Sequence, residues 1–584
     1  MKRKFLFMSV LASLFMAGCS QDDGITPKDE LNGNGETMSH YMAVNFVSSD
    51  NGDLLTRAKS GFEDGSETEN NITGVRFYFF NGVGGQAAVK VLGDQYVNYY
   101  DWKPDSQSAD ANGGDDIEKK FSALIVISTK EGDEIPQMMA AVLNPTEELK
   151  AKGSQSLVQL REIADDYAKA ELTTSGKFVM FNSVYSQNKN TVDAVQITAD
   201  NLATSEDAAK TNPVKLYVER SVAKVSVEIG IQDDDDYDPD QKLLKLKDKD
   251  GESVEVDGGE RGQREQVYLK LEKWGLTAET NKGRLVKKIN PGWTESWIQE
   301  AQGQYLYRSC WGINVMDAKN IYNNNTHEQT EFGGNNYLYT NENAQLDDID
   351  NKQGTARERT KVKINGRLCK SDGTPITLVR HLGSHFVDTY NADESQNLNK
   401  LKQSILSQLD AAGKKYYTMQ EAEGSKKFTQ IATEDLKIVI ADQQEKEETG
   451  KNCYVYAVLT EDAQAKTWYS SDDPETYERN TVDFSAINAD LKNDDLVDKA
   501  LVWREGMTYY YYEIIHHYTP DQQGVVRNHV YKTKITGIAG LGTPVYDPEQ
   551  TIYPEKPEDN DHYIAAEINI LSWHIVNGDY NLKW

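Results

Sequence analysis

The chain has 584 residues and carries 93 Asp and Glu against 63 Lys and Arg, a net charge of -30. So acidic a surface is repelled by phosphate backbones, which excludes nucleic-acid binding. With 38% hydrophobic residues, 32 Tyr and 42 Gly, it is long enough for two or three β-rich units with real cores.

The opening MKRKFLFMSVLASLFMAGCSQDD sets Lys2, Arg3 and Lys4 before an uncharged apolar run from Phe5 to Gly18, the layout of an export signal. That run is shorter than the roughly 20 residues that span a bilayer. Met16-Ala17-Gly18-Cys19 resembles a lipobox, although Met16 stands where Leu is usual. Residues 1–18 are therefore read as a lipoprotein signal peptide and Cys19 as the lipidated residue. Removing residues 1–18 takes away three basic residues and no acid, leaving -33. Cys310, Cys369 and Cys453 remain, too few and too scattered for a disulfide framework or a zinc site, with one bridge left open.

Residues 20–38 are polar and read as a tether. YMAVNFV then places Met42, Val44 and Phe46 on one face of a half-buried strand. SSDNGDLLTRAKSGFEDGSETENN follows as a loop with Arg57 inside it. VRFYFF, FSALIVIS and MMAAVLN are the next strands. Leu157, Leu160, Ala164 and Tyr167 predict a helix over 157–170, and KFVMFNSV returns to strand before a first unit ends near Asn212.

In PVKLYVERSVAKVSVEIGI the apolar positions change phase. Val214, Leu216 and Val218 are even, whereas Ala223, Val225, Val227 and Ile229 are odd. One flat strand cannot put both sets on one face, so either a bulge or a crossing between sheets falls near Arg220 and Ser221. The domain junction is placed there. The acidic run DDDDYDPD fails the calcium-loop template, with Pro239 where Gly is needed and Lys245 where the bidentate Glu belongs. It reads as a solvated loop.

QVYLKLEKWGL, YLYRSCWGI and NYLYTNEN continue the β pattern. Leu398, Leu401, Ile405, Leu409 and Ala412 predict a helix closed by Gly413, part of an insertion near 384–450 on a second sandwich. NCYVYAVLT, MTYYYYEIIHHYT and NHVYKTKITGIAGLG are further strands, with Tyr509 to Tyr512 read as a central buried strand. Pro544, Pro548, Pro554 and Pro557 then make an extended, stiff spacer. In the last strands Ile564, Ala566, Ile568 and Ile570 share one face, and Leu571, Trp573 and Ile575 the other.

Motifs for catalysis are missing: there is no G-x-S-x-G, no H-E-x-x-H and no phosphate loop, and GIAGLG lacks dinucleotide spacing. His516 and His517 are adjacent in a strand and face opposite ways, so they cannot hold one metal together. Acidic pairs are too numerous to single out a glycosidase pair. The expectation is a protein that is not an enzyme, with no catalytic residue, no cofactor and no metal.

The lipoprotein signal, the Arg57 loop, VERSVAKVSVEI, GVVRNHVYKTKITGIAGLG and INILSWHIVNGDYNLKW together resemble the fimbrillins of Bacteroidales, the subunits of type V pili. The look is nearest to the major subunits of short, or minor, fimbriae. The resemblance implies a mainly β fold of two transthyretin-like β-sandwiches, here 58–212 and 213–545. It implies a precursor acylated at Cys19 and cut by an Arg-specific extracellular protease between Arg57 and Ala58. Residues 19–57, with the strand of Met42, Val44 and Phe46, would leave. Residues 546–584 would then be a linker and a donor strand for the slot so opened in a neighbour.

The implied partners are other copies in a head-to-tail homopolymer, accessory or anchor fimbrial subunits, and adhesion receptors on host or bacterial cells. The outer membrane would hold the precursor through its lipid, and the mature protein would lie in the fimbrium. The alternatives are an accessory or tip subunit, or a lipid-anchored glycan-binding lipoprotein that is never cut.

Overall fold

The computed structural model describes residues 37–47, 65–90, 96–104, 109–110, 120–130, 134–187, 190–231, 236–257, 264–277, 279–288, 329–343, 360–387, 396–422, 424–440, 454–492, 500–514, 516, 524–545, 563–572 and 574–580. They form a mainly β molecule with a few short helices, gathered around three principal hydrophobic cores.

The first core is enclosed by β1 (Thr37–Val47), β2 (Val75–Phe80), β3 (Lys120–Lys130), β4 (Met138–Leu143), β5 (Met180–Asn182) and β6 (Val214–Arg220). They pair in the order β3-β1-β6-β5-β4-β2, with shorter strands beyond both ends. Met42, Val44, Ile125 and Ile127 come from one half of this sheet, and Phe77, Phe79 and Met139 from the other. All of them bury into one cluster. The sheet therefore folds over on itself as a sandwich.

The helix expected over 157–170 is cut short. Ser156 opens it with a reciprocal capping box to Gln159, and α1 is only Leu157–Arg161. Beyond it Ala164–Asp165 pairs with Gly283–Arg284, and Leu285 N donates to Ile163 O at 2.9 Å. The apolar spacing was real, since Leu157, Leu160 and Tyr167 are all buried. A tertiary strand pairing overrode the helical continuation.

At Ser221 the chain changes sheet. Val218 and Val222 pack in the first core, Ala223, Val225 and Val227 in the second. The phase change in the sequence is this crossing. β7 (Val222–Ile229) begins the second sandwich, continued by β8 (Tyr268–Thr277), β9 (Tyr337–Asn341), β10 (Lys361–Cys369), β11 (Met507–Glu513) and β12 (His529–Ala539). The last strands are β13 (Tyr563–Ser572) and β14 (His574–Tyr580). One sheet runs β9-β7-β12-β13-β14; the other contains β8-β10-β11. Val225, Tyr531 and Ile535 meet Leu269, Trp274, Ile364 and Tyr510 between them. Tyr509 and Tyr510 are buried on opposite faces of β11.

The helical insertion is larger than 384–450. Residues from Val379 to Val502 build a third core, lined by Leu401, Ile405 and Leu409 of α2 (Gln396–Ala411) and by Ile487 and Leu491 of α3 (Phe484–Lys492). Tyr454–Leu459, expected in the second sandwich, belongs here. The reason is that Leu378–His381 pairs with Ala500–Trp503, so the excursion leaves and returns on adjacent strands and closes its own core. In the acidic run, Asp236 pairs with Lys245 and Lys247, and Asp238 accepts from the backbone of Asp240 and Gln241.

Met42 is fully buried in the first core. A Met42→Ala chain is expected to lose about 2–5 kcal/mol of stability, measured by urea unfolding of the uncut protein. An unchanged midpoint would mean that β1 is not packed there.

Candidate functional site: the leading strand and the junction

β1 is an inner strand. All eleven of its residues pair antiparallel with β3, from Thr37 opposite Lys130 to Val47 opposite Lys120. On its other side Val44–Val47 pairs parallel with Val214–Tyr217 of β6. Met42 and Val44 are completely buried, and Ala43 between them is nearly so. For Phe46 only the backbone is described, opposite Phe121 and Leu216. Cys19, Arg57 and Ala58 lie outside the described residues.

These pairings give the first sandwich two distinct ends. Toward one extremity run the ends of β2 at Phe80 and of β4 at Met138, paired with each other, and beyond their level the start of β1 at Thr37, paired with Lys130 of β3. At the other extremity Val75, Leu143, Met180 and Arg220 align in successive strands. The second end is the junction, because the chain crosses there into β7. β1 thus starts at the free end, and its last residue, Val47, points the chain toward the junction.

The junction is built on buried charge. Glu69 is 1% exposed, in a turn just before β2, and its carboxylate meets Lys224 Nζ of β7 at 2.8 Å. Tyr339 Oη donates to the same carboxylate at 2.6 Å, and Ser66 N does so at 2.6 Å. Burial pushes the Glu69 carboxyl up, but the Lys224 charge and these hydrogen bonds outweigh it and hold the group below its ordinary 4.5. Arg220, at the crossing itself, donates to Glu69 O at 3.2 Å, to Asn528 Oδ1 at 3.3 Å and to Asn70 Oδ1. A Cβ on Gly65 would stand 2.6 Å from the Arg220 guanidinium and displace the tip of that side chain.

A second buried knot lies beside it. Arg527 is fully buried; its Nε donates to Glu342 at 3.0 Å and its terminal nitrogens to Leu285 O and Arg284 O at 3.0 and 2.7 Å. Asn341 donates to Asp166 at 2.9 Å and accepts from Tyr167 N, joining β9 to the first unit. Sequence reading quoted the segments of Arg220 and Arg527 without giving either residue this role. The available signal was a charged side chain inside an otherwise apolar strand run.

His516 is buried, with Nδ1 3.0 Å from Tyr531 Oη and its ring edge-on to His529, so it packs within the second unit. Its neighbour His517 lies outside the described residues. Among the described residues no cluster of metal-ligating side chains occurs and no helix is long and apolar enough to cross a membrane.

The terminal segment pairs within its own fold. β13 runs antiparallel to β12, and the chain reverses between Ser572 and His574 so that Leu571 faces Ile575. The phase change among Ile570, Leu571 and Ile575 falls at this reversal. Ile564 and Ile570 pair with Ile538 and Tyr531 through the backbone. Ala566 and Ile568 fall in the stretch of β13 where the register shifts, and Trp573 lies outside the described residues.

Residues 502–579 match the model of the major fimbrial subunit protein type IV family, Fimbrillin, C-terminal. This end of the chain is similar to the fimbrillins. Solved structures similar to the chain include a fimbrilin of Porphyromonas gingivalis, 11% identical, covering 92% of this chain and 98% of that one at a TM-score of 0.35. The tip fimbrial protein Mfa3 of the same organism, 11% identical, covers 92% and 100% at 0.30. A candidate cell-adhesion protein of Parabacteroides distasonis, 10% identical, covers 91% and 96% at 0.35. No curated protein matches the chain in sequence.

Removing the Glu69 carboxylate leaves Lys224 buried without its partner, and Glu69→Ala is expected to cost about 3–5 kcal/mol at pH 7. Because the folded pKa lies below 4.5, the ion pair stabilises fully above the unfolded value and is lost as pH falls through the folded one. The stability gap between wild type and variant should therefore shrink as the pH falls below 4.5 in urea titrations. A gap independent of pH would contradict this.

Proposed function

We propose that the chain is a structural shaft subunit of a surface fimbria. It is exported as a precursor lipidated at Cys19, cut between Arg57 and Ala58 by an Arg-specific protease, and polymerised by strand exchange. It performs no catalysis. The supporting observation is the place of β1, an inner strand of a folded-over sheet that is tied to the rest of the molecule by one loop.

Loops rich in Gly, Asp and Ser are where proteases cut, and Arg57 is the one Arg between Cys19 and Arg76. A cut there leaves β1 held by noncovalent contacts alone. Its departure would expose the sockets of Met42 and Val44 and leave facing edges of β3 and β6 unpaired. Refilling four or five such sockets stabilises by roughly 6–15 kcal/mol before entropy losses, and backbone pairing fixes the register.

The occupant is the terminal segment of another copy, with Ile564, Ala566, Ile568 and Ile570 as its alternating side chains. Entering with the polarity of β1, parallel to β6, it would trail its linker from the free end of the first sandwich. The reverse polarity would bring the linker out at the junction, where the second sandwich stands. Such a contact is heterologous and does not close, so it propagates a filament. Accessory subunits and receptors would meet this filament rather than the monomer.

Arg57→Ala is expected to stay uncut, lipidated and monomeric, whereas wild-type fibres should contain chains beginning at Ala58, both read by mass spectrometry. A chain ending at Asp561 should be cut normally yet form no fibres of normal length by electron microscopy. Fibres from either variant would overturn the reading, and a wild-type monomer keeping acylated Cys19 would favour the glycan-binding lipoprotein.

A further inference from the structure

Five large apolar side chains stand exposed among the described residues: Val83, Ile135, Val158, Leu382 and Phe484. Two of them share one place. Val83 is in the loop after β2 and Ile135 in the loop before β4, so both lie toward the free end of the first sandwich, the end away from the junction. The loops are tied together, with Asn81 Nδ2 donating to Glu134 at 2.6 Å and Gln137 N to Phe80 O at 2.8 Å.

The opposite extremity of the molecule is where the linker leaves. Lys361 of β10 pairs with Glu513 of β11, and next to them Ile514 N donates to Thr360 O. Thr360 also accepts from Asn343, two residues past β9 and the junction. β11 therefore ends toward the junction and starts away from it. Thr543–Pro544 pairs with Thr508 and Tyr509 at that start, and Val545 N donates to Met507 O. Residues 546–562 follow from there, a stretch that reaches at most about 60 Å fully extended.

We propose that Val83 and Ile135 form a seat for the linker-bearing end of the next copy of this chain, a body contact additional to the exchanged strand. This rests on the strand-exchange reading. A strand that enters at the free end brings its own second sandwich to that end, linker side first. The chemistry of the seat suits it. The segment Asn81-Gly82-Val83-Gly84-Gly85 carries no charge, whereas copies cut after Arg57, with 58 basic and 86 acidic residues left and a net charge of -28, repel one another over most of their surface. The facing loop is acidic around Ile135, with Glu134 held by Asn81, so the apolar contact would centre on Val83 and the Ile135 side chain.

The test uses the full chain cut with an Arg-specific protease, comparing wild type with the double variant Val83→Glu and Ile135→Glu. Phe484→Glu, an equally exposed apolar residue on the third core, serves as control. A synthetic peptide of residues 562–584 reports on the slot by fluorescence anisotropy, and light scattering reports on polymer growth. The double variant should bind the peptide as wild type does but polymerise about tenfold more slowly, the loss expected for one well-buried apolar contact. Phe484→Glu should polymerise normally.

Polymerisation of the double variant at the wild-type rate would overturn the seat while leaving strand exchange intact. Failure of the peptide to bind cut wild-type protein would overturn strand exchange itself, and the seat with it. Should the Glu pair unfold the protein by thermal melting, Val83→Ser with Ile135→Ser gives the same comparison without added charge.

Discussion

The structure depends on β1 lying between β3 and β6. An inner strand contributes hydrogen bonds along both edges and side chains to the core, so the sheet around it is complete only while it is present. Usually such a strand is held on both sides by short connections. Here residues 48–64, Arg57 among them, separate it in sequence from the next described segment. The part of the sandwich that does most to close its core is thus also the part most easily separated from it by a single cut.

What would stay behind after such a cut is decided by the junction. Buried charges destabilise unless they are fully partnered, and the junction partners them from both sandwiches: Glu69 with Lys224 and Tyr339, Arg220 with Asn70 and Asn528, Arg527 with Glu342 and two carbonyls. Glu69 and Asn70 sit between the loop of Arg57 and the start of β2. They pin the chain just before β2 to β6, β7 and β9 by contacts that do not involve β1. The same bonds make the change of sheet at Ser221 a fixed feature, since Arg220 is held by groups on both sides of it.

Local periodicity carried the reading of the sequence a long way. Alternation found β1, further strand runs gave β2, β3 and β4, and counting odd and even apolar positions located the crossing at Ser221. Helical spacing with Gly413 at its end found α2. Other features lie beyond any local pattern. The helix at Leu157 stops because Ala164 finds a strand partner about 120 residues away. The third core was underestimated because its boundary is set by Leu378–His381 meeting Ala500–Trp503. The junction knots join residues 150 to 308 positions apart, and no spacing rule reports such contacts. Of the candidate site, the β1 residues were legible from their alternation; Glu69 and Arg527 looked like any other charged residue in a chain full of them.

The direction of strand exchange follows from an inequality between the two sites. In its own fold β13 pairs with β12 along one edge, with a register shift partway, and with β14 along the other. The slot of β1 offers eleven paired positions on β3, four on β6 and a set of apolar sockets in the first core. An empty slot would be the costly state, because among the described residues β1 is what fills its edges and sockets, whereas β12 keeps β7 on its other side when β13 leaves. The driving force would therefore reside in the acceptor. In the proposed assembly a precursor with β1 in place would give a terminal strand nothing to gain by leaving home, and polymerisation would wait on the cut.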